Sequence, residues 1–188
     1  MNGLSSAGLR AGPAGTETAL VFGAGRSDCC SRFPSRPKSV SLVTVADINE
    51  GADCLAERLG LETAVSGSQA LAGRRHDFDF VADATGIARI VEGMIDFVAD
   101  GGTVLVFGVC APDQRISIAP FEIFRRQIRF AGSHSLNRNI PEALAILKRD
   151  TGAMAQLVSH RLPLDDVLPF ITKRSSDPAT MKVQFSVD

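Results

Sequence analysis

Residues 18–25 read Thr18-Ala19-Leu20-Val21-Phe22-Gly23-Ala24-Gly25, an apolar run that ends in two glycines. A continuous apolar run of this length, closed by glycine, is typical of a strand buried on both faces of a sheet. A second apolar run spans residues 41–46 and ends at Asp47. The sequence therefore predicts two buried strands, one followed by a Gly-x-Gly turn and the other by a carboxylate.

The rest of the chain alternates predicted strands with predicted helices. Further strands are predicted at 62–65, 79–83, 103–107, 128–131 and 182–187, and helices at 49–59, 140–149 and 164–172. Apolar residues from Ile87 to Val98 fall at helical spacing, and Gly101 and Gly102 are expected to close that helix. Arg115 to Ala119 alternates polar and apolar residues, as an edge strand does. This order predicts an α/β fold, a doubly wound parallel sheet with both faces covered.

Gly23, Ala24, Gly25 and Asp47 have the arrangement of a dinucleotide-binding unit. The first glycine allows a tight turn and the second lets the backbone approach the pyrophosphate. The carboxylate after the next strand accepts hydrogen bonds from the adenosine ribose. The alternative interpretation of these residues is a tight turn followed by an aspartate that caps a helix.

Composition excludes several other classes of function. With 20 basic and 21 acidic residues the net charge is −1, which argues against a nucleic-acid partner. No apolar run reaches the roughly 18 residues that span a bilayer, so no membrane partner is expected. The four cysteines form no Cys-x-x-Cys pair and only three histidines accompany them, so we expect no metal site. Free thiols favour a cytoplasmic location. The chain has no tyrosine, which excludes a dehydrogenase with a Tyr-x-x-x-Lys acid.

The chain resembles the C-terminal, cofactor-binding half of the medium-chain zinc-type alcohol and polyol dehydrogenases, the sorbitol and threonine dehydrogenase group. The matching segments cover residues 18–25 and most of 41–188, and their order and spacing carry the resemblance. They are Thr18-Ala-Leu-Val-Phe-Gly-Ala-Gly25, Val45-Ala-Asp-Ile-Asn49, Leu55-Ala-Glu-Arg-Leu-Gly60, Phe78-Asp-Phe-Val-Ala-Asp-Ala-Thr-Gly86, Gly101-Gly-Thr-Val-Leu-Val-Phe-Gly108, Phe130-Ala-Gly-Ser133, Glu142-Ala-Leu-Ala-Ile-Leu147 and Lys182-Val-Gln-Phe185.

The resemblance implies a linker at residues 1–17 and an NAD-binding Rossmann domain with C-terminal return elements at 18–188, without the family's catalytic zinc domain. It implies NAD as the cofactor and, in the full-length family, zinc and a small alcohol or polyol substrate. It implies a homodimer through the edge strand near Arg115–Ala119. No catalytic residue is expected in this chain. The cofactor-binding residues that it implies are Gly23, Ala24, Gly25, Asp47, Ala84, Thr85, Phe107, Gly108 and Ser133.

Two other functions stay open at this stage. One is a truncated, frameshifted remnant without enzymatic activity. The other is a methyltransferase, which also uses a glycine loop and an acid after the second strand. The Asp-Ala-Thr-Gly segment at 83–86 and everything after Gly108 argue against the methyltransferase. Binding of NAD rather than S-adenosylmethionine would separate a dehydrogenase domain from a methyltransferase.

Single residues leave further alternatives. Asp83 borders the adenosine side by family analogy or caps the helix that starts near Ile87. His134 lies where the family's chain passes the nicotinamide, or in a surface turn. Cys110 is expected to be a buried spectator thiol. Arg125 and Arg126 are expected on a solvated face.

Residues 26–40 do not fit the helix that should cover the first strand. Asp28 stands where a third glycine is expected, and its carboxylate would repel a pyrophosphate. Pro34 and Pro37 each remove a backbone donor. Without a leucine stripe in this segment, we expect a disrupted first crossover helix that leaves Val21 and Val43 poorly covered.

A compensated pair of frameshifts, in the gene or in its sequencing, is our hypothesis for this segment. Moving the reading frame back by one base turns the codons of Cys29 and Cys30 into leucine codons, because a pyrimidine precedes each of them. One allowed reading of 26–40 is then Pro-Ile-Gly-Leu-Leu-Leu-Ala-Leu-Ser-Leu-Lys-Ala-Lys-Glu-Arg, an amphipathic helix that contains the missing glycine. The alternative is a naturally divergent loop.

Replacing residues 26–40 with this frame-restored sequence should raise both the melting temperature and the affinity for NAD. The replacement restores a helix N-terminus for the pyrophosphate and removes two prolines, each worth roughly 3 kcal/mol inside a helix. Thermal unfolding and NAD titration of the two chains check this. If the original chain melts as cooperatively and binds NAD as tightly as the replaced one, the frameshift hypothesis loses its physical motive.

Overall fold

The computed structural model describes residues 17–23, 40–48, 56, 60–134, 140–149, 158–173, 180 and 182–187. The expectations for Ala24, Gly25, the linker at 1–16 and the segment 26–39 lie outside the described residues. Most of the helix predicted at 49–59 does too, although Ala56 is helical.

A six-stranded parallel sheet forms the body of the chain. Its strands are β1 (Glu17–Phe22), β2 (Val40–Asp47), β3 (Glu62–Val65), β4 (Phe78–Asp83), β5 (Val98–Val106) and β6 (Arg129–Gly132). Their order in the sheet is β3-β2-β1-β4-β5-β6, and every neighbouring pair is parallel. This is the order of a doubly wound dinucleotide-binding sheet, and it confirms the predicted fold class.

Short helices and a second, smaller sheet complete the described structure. The helices are α1 (Gln69–Ala72), α2 (Ala88–Gly93), α3 (Pro120–Arg125), α4 (Ile140–Arg149) and α5 (Val167–Lys173), with 3-10 turns at Met94–Asp96 and Leu164–Asp166. Strands β7 (Val158–Pro163) and β8 (Lys182–Ser186) pair in parallel as a separate two-stranded sheet. No helix in the described ranges is long and apolar enough to cross a membrane.

The central strands are buried on both faces, as their continuous apolar sequences predict. Leu20, Phe78 and Val81 are completely buried in the core. The expectation that Val21 and Val43 would be poorly covered is wrong, because they are only 2% and 0% exposed.

The helix predicted over 87–98 ends earlier than its apolar spacing suggests. Val98 is the first residue of β5 and lies opposite Phe78 of β4. Gly101 and Gly102 lie inside β5, where they accommodate an irregularity in its pairing with β4, and do not close a helix. Gly101 has a φ of +77°, and a Cβ on Gly102 would come within 2.8 Å of the carbonyl oxygen of Asp79. Gly102 therefore allows the close approach of the two strands, and Gly101 supplies the positive φ of the irregular segment.

The prediction of an edge strand at Arg115–Ala119 is also wrong, because the backbone there is irregular. A strand needs a neighbouring strand to complete its ladder of hydrogen bonds, and the described residues give this segment no such neighbour. Arg115 donates instead to the carbonyl oxygens of Pro112 and Gln114, at 2.9 and 2.8 Å. Strand β7 was not predicted, although half-buried and exposed residues alternate along it.

Arg126 was expected on a solvated face, and the structure corrects this because Arg126 is only 3% exposed. Its Nη1 donates to the carbonyl oxygen of Ile95 at 2.9 Å and its Nη2 to that of Val98. Its Nε donates to Asp100 at 2.8 Å, and this hydrogen bond lowers the pKa of the Asp100 carboxyl. Arg126 therefore joins the turn after α2, the start of β5 and the end of α3. The neighbouring Arg125 is exposed, as expected, and pairs with Glu122.

Substituting Arg126→Leu should lower the free energy of unfolding by at least about 2 kcal/mol. Leucine keeps apolar volume but leaves the carbonyl groups of Ile95 and Val98 without their donor, at about 1–3 kcal/mol for each buried group. The matched control is Arg125→Leu, which removes only an exposed ion pair and should cost less than about 1 kcal/mol. Urea unfolding of both variants measures the difference, and equal effects would contradict the assigned role of Arg126.

Candidate active site at the carboxyl edge of the sheet

A row of backbone hydrogen bonds continues the sheet beyond the carboxyl ends of its strands. Gly23 N–H donates to the carbonyl oxygen of Ala46 at 2.8 Å, and Ala84 N–H donates to that of Phe22 at 2.8 Å. On the other side, Gly108 N–H donates to Asp83 at 2.9 Å and Ser133 N–H donates to Val106 at 3.1 Å. The first residues after β1, β4, β5 and β6 are thus held in register along one edge. This edge is where an open parallel sheet binds its ligand.

The turn after β1 requires glycine for two reasons. Gly23 has a φ of +96°, a conformation that residues with a Cβ rarely adopt. A Cβ on Gly23 would also lie 2.9 Å from the methyl carbon Cγ2 of Thr85. The loop after β4 therefore packs directly against the first residue of the Gly-x-Gly turn.

The loop after β4 is organised by the carboxylate of Asp83, which is completely buried. Oδ1 accepts from the N–H of Thr85 at 2.8 Å and from the Thr85 hydroxyl at 2.6 Å. The N–H of Gly86 is shared between the two carboxylate oxygens, at 3.3 and 3.2 Å. Thr85 Oγ1 in turn accepts from the N–H of Ile87 at 3.0 Å. Asp83 therefore caps the turn at 84–86, while α2 has no side-chain cap at its own N-terminus.

The loops after β4 and β5 touch through two glycines. A Cβ on Gly108 would overlap the backbone nitrogen of Gly86 and lie 2.5 Å from Asp83 Oδ2. A Cβ on Gly86, whose φ is +69°, would lie 2.5 Å from the carbonyl oxygen of Val109. The two loops can approach this closely only because neither residue has a side chain.

Asp47 ends β2 at the same edge, one strand beyond β1. It is 9% exposed, and its carbonyl oxygen accepts from Ser66 N–H at 2.7 Å. The neighbouring Ile48 is 76% exposed, so the chain leaves the sheet at this point.

The structure brings together the predicted site residues that it describes. They are Gly23, Asp47, Ala84, Thr85, Phe107, Gly108 and Ser133, while Ala24 and Gly25 lie outside the described residues. Sequence reasoning missed Gly86 and the buried carboxylate contacts of Asp83. The signal for both was the spacing Asp-x-Thr-Gly, which places a carboxylate next to the donors of a tight turn.

Two other residues singled out from the sequence lie near this edge. His134 follows Ser133 and is exposed. Cys110 follows the Gly108 loop and is half-buried against the core. Within the described ranges, no group of three or more His, Cys, Asp or Glu side chains could hold a metal ion.

Comparison with known proteins identifies the family to which this chain is related. Residues 40–149 match the sequence model of the zinc-binding dehydrogenases. The chain belongs to the zinc-binding dehydrogenase family. This membership confirms the resemblance seen in the sequence.

Among curated relatives, the chain is 61% identical over 188 residues to a D-altritol 5-dehydrogenase of Agrobacterium fabrum strain C58, covering 100% of this chain and 56% of that protein. It is 33% identical over 101 residues to D-arabinitol dehydrogenase 1 of Uromyces fabae, covering 54% and 29%. The chain thus spans about half the length, or less, of the curated relatives it matches.

Solved structures with the same fold include dehydrogenases with bound dinucleotides. A zinc-binding dehydrogenase of Sinorhizobium meliloti 1021 bound to NADP is 23% identical, with a TM-score of 0.77 over 97% of this chain and 55% of that one. An alcohol dehydrogenase of Escherichia coli CFT073 complexed with NADH is 16% identical, with a TM-score of 0.77 over 91% and 52%. At these identities the likeness shows the fold.

Substituting Gly108→Ala should lower the free energy of unfolding by about 1–3 kcal/mol, because the added methyl group overlaps the Gly86 backbone and must displace one loop. The control is Gly93→Ala in α2, where an added Cβ meets nothing within 4 Å. That variant should be neutral or stabilising by up to about 1 kcal/mol, since alanine favours a helix over glycine. Urea unfolding compares the two. A Gly108→Ala variant as stable as the parent would show that the loops are not in contact.

Proposed function

We propose that this chain is the NAD-binding portion of a zinc-type polyol dehydrogenase, with the cofactor lying across the carboxyl edge of the sheet. The observation that carries this proposal is the close contact of the loops after β1, β4 and β5 at the carboxyl edge of the sheet, which three glycines make possible. A Cβ on Gly23, Gly86 or Gly108 would collide with a neighbouring loop. Backbone surfaces without side chains are what a pyrophosphate and its riboses need for close contact.

The residues present fit a dinucleotide in one orientation. In a sheet of this order the ligand lies at the switch point between β1 and β4. The adenosine half then lies toward β2, where Asp47 accepts from ribose hydroxyls, and the nicotinamide half lies toward β5 and Gly108. A nicotinamide bound there would supply the hydride acceptor for the oxidation of an alcohol. Ala84, Thr85, Phe107 and Ser133 supply the loop surfaces that orient it.

A polyol is the substrate class that the relatives favour. The 61% identity to D-altritol 5-dehydrogenase extends over all 188 residues, and the second relative is named for D-arabinitol. In the family, zinc polarises the alcohol. The described residues offer no ligand set for a metal, so we assign no step of the reaction to zinc on this chain. We expect little or no alcohol oxidation and no stoichiometric zinc from the chain by itself.

The non-enzymatic remnant remains the competing proposal, and cofactor titration separates it from a dinucleotide-binding domain. Measurable NAD binding would contradict the remnant. Failure of the chain to bind either the oxidised or the reduced cofactor would contradict our proposal. The methyltransferase interpretation loses its support, because the chain belongs to a dehydrogenase family. The cytoplasmic location and a homodimer near residues 115–119 stay predictions.

The frameshift at 26–40 also stays a proposal. The family match covers residues 40–149, so this proposal rests on the sequence of the segment itself.

NAD should bind at least about 10-fold more tightly than NADP, a difference of about 1.4 kcal/mol. The carboxylate of Asp47 accepts from a free 2′-hydroxyl and repels a 2′-phosphate, and residues 48–53 contain no arginine to neutralise that phosphate. Isothermal titration of both cofactors with the chain carrying the replaced 26–40 segment measures this preference.

Substituting Asp47→Asn should reduce the preference for NAD, because it removes the repelling charge. The matched control is Asp77→Asn, which removes one charge at the amino end of β4, where Asp77 pairs with Arg74 at 2.8 Å. The control should keep the full preference. Equal affinities for NAD and NADP in the parent chain would disprove the role of Asp47.

A further inference from the structure

The carboxylate of Asp83 carries a charge that its hydrogen bonds do not require. Oδ1 alone accepts from both the N–H and the hydroxyl of Thr85. Oδ2 receives only a share of the Gly86 N–H. An asparagine or serine at this position would cap the same turn with one neutral oxygen. The negative charge, which the two carboxylate oxygens share, therefore calls for a separate explanation.

Among the residues that the structure describes, no cation is paired with this buried carboxylate. Asp83 is 0% exposed, and in the described part of the chain its hydrogen bonds come from the neutral groups of Thr85 and Gly86. A buried carboxylate is ordinarily paired with a cation, because burial disfavours the charged form. In a low-dielectric setting, an unpaired charge also acts over a longer distance than an exposed one.

The position of this charge is defined by the two loops above it. The carbonyl oxygen of Asp83 accepts from the N–H groups of Phe107 and Gly108, at 3.2 and 2.9 Å. Oδ2 lies so close beneath Gly108 that an added Cβ there would be 2.5 Å away. Asp83 also lies opposite Phe22 of β1 and Val106 of β5. The carboxylate therefore lies at the carboxyl edge, beneath the loop after β5 and two strands away from β2, which ends at Asp47.

We propose that Asp83 tunes the oxidation state of the cofactor, favouring the oxidised over the reduced nicotinamide. This inference rests on the proposed function, in which the nicotinamide half lies toward β5, and it departs from the family analogy, which put Asp83 on the adenosine side. The oxidised ring is cationic and the reduced ring is neutral, so a fixed negative charge beneath this part of the site stabilises the oxidised form selectively. The hydrogen bonds to Thr85 and Gly86 fix where that charge lies. Asp83 is thus a positioning residue whose charge also acts on the bound cofactor.

The measurement is the ratio of the dissociation constants of NADH and NAD+, obtained by isothermal titration. The ratio is measured for the unmodified chain and for the chain with residues 26–40 replaced, so that it can still be determined if one of them binds weakly. In Asp83→Asn we expect the ratio to fall by about threefold or more. A distorted turn would weaken the binding of NAD+ and NADH by the same factor and would leave the ratio unchanged.

Three further variants isolate the charge. Asp77→Asn removes a charge at the opposite end of the same strand and should leave the ratio unchanged. Thr85→Val removes the hydroxyl but keeps the charge of Asp83, so both dissociation constants should rise by the same factor. Asp83→Ser is a second neutral variant that still caps the turn, and it should lower the ratio as Asp83→Asn does.

The remaining outcomes also test the role of Asp83. An unchanged ratio in a folded Asp83→Asn or Asp83→Ser variant overturns the inference but leaves the proposed function intact. If neither neutral variant folds, the charge serves the fold and the inference is overturned. If neither parent chain binds either cofactor form, the proposed function falls together with the inference.

Discussion

The contact between the loops after β4 and β5 is the constraint on which the rest of the site depends. Gly86 and Gly108 meet backbone to backbone, and the carboxylate of Asp83 lies directly beneath them. Because Asp83 binds the Thr85 N–H and hydroxyl, the methyl group of Thr85 is held against Gly23. The turns after three neighbouring strands are thereby fixed by one buried side chain and three residues without side chains.

The carboxyl edge could be predicted from the sequence because its signals are local. Apolar runs that end in glycine or aspartate mark strands and their carboxyl ends, and in a parallel sheet all of these ends meet at one edge. Gly23, Asp47 and Gly108 could thus be placed without knowing any contact between them. The buried role of Asp83 could not be read in this way. Whether an aspartate caps a helix or a turn depends on which N–H groups lie nearest, and that follows from the approach of β5.

The errors in the sequence interpretation have a common physical origin in contacts between distant parts of the chain. Arg126 looks like its exposed neighbour Arg125, and only the carbonyl groups of Ile95 and Val98, about 30 residues away, distinguish them. Gly101 and Gly102 resemble a helix stop, but strand β4 turns them into an irregular part of β5. Arg115–Ala119 has the alternation of a strand and lacks a neighbouring strand in the described structure. Periodicity shows which residues favour burial or pairing, but it does not identify the residues or strands that they contact.

The placement of negative charge along this edge shows why segment 26–39 conflicts with the site. A dinucleotide is itself an anion, so a carboxylate is tolerated near it only where hydroxyls or a cationic ring lie opposite. In the proposed site Asp47 faces the ribose and Asp83 lies beneath a loop on the nicotinamide side, so that each has a favourable counterpart. For Asp28 the sequence predicts no such counterpart, because its place in the sequence is that of the third glycine, where the helix N-terminus should face the pyrophosphate. A carboxylate there opposes the favourable field of the helix end. The sequence of 26–39 is therefore at odds with a site that the rest of the chain builds consistently.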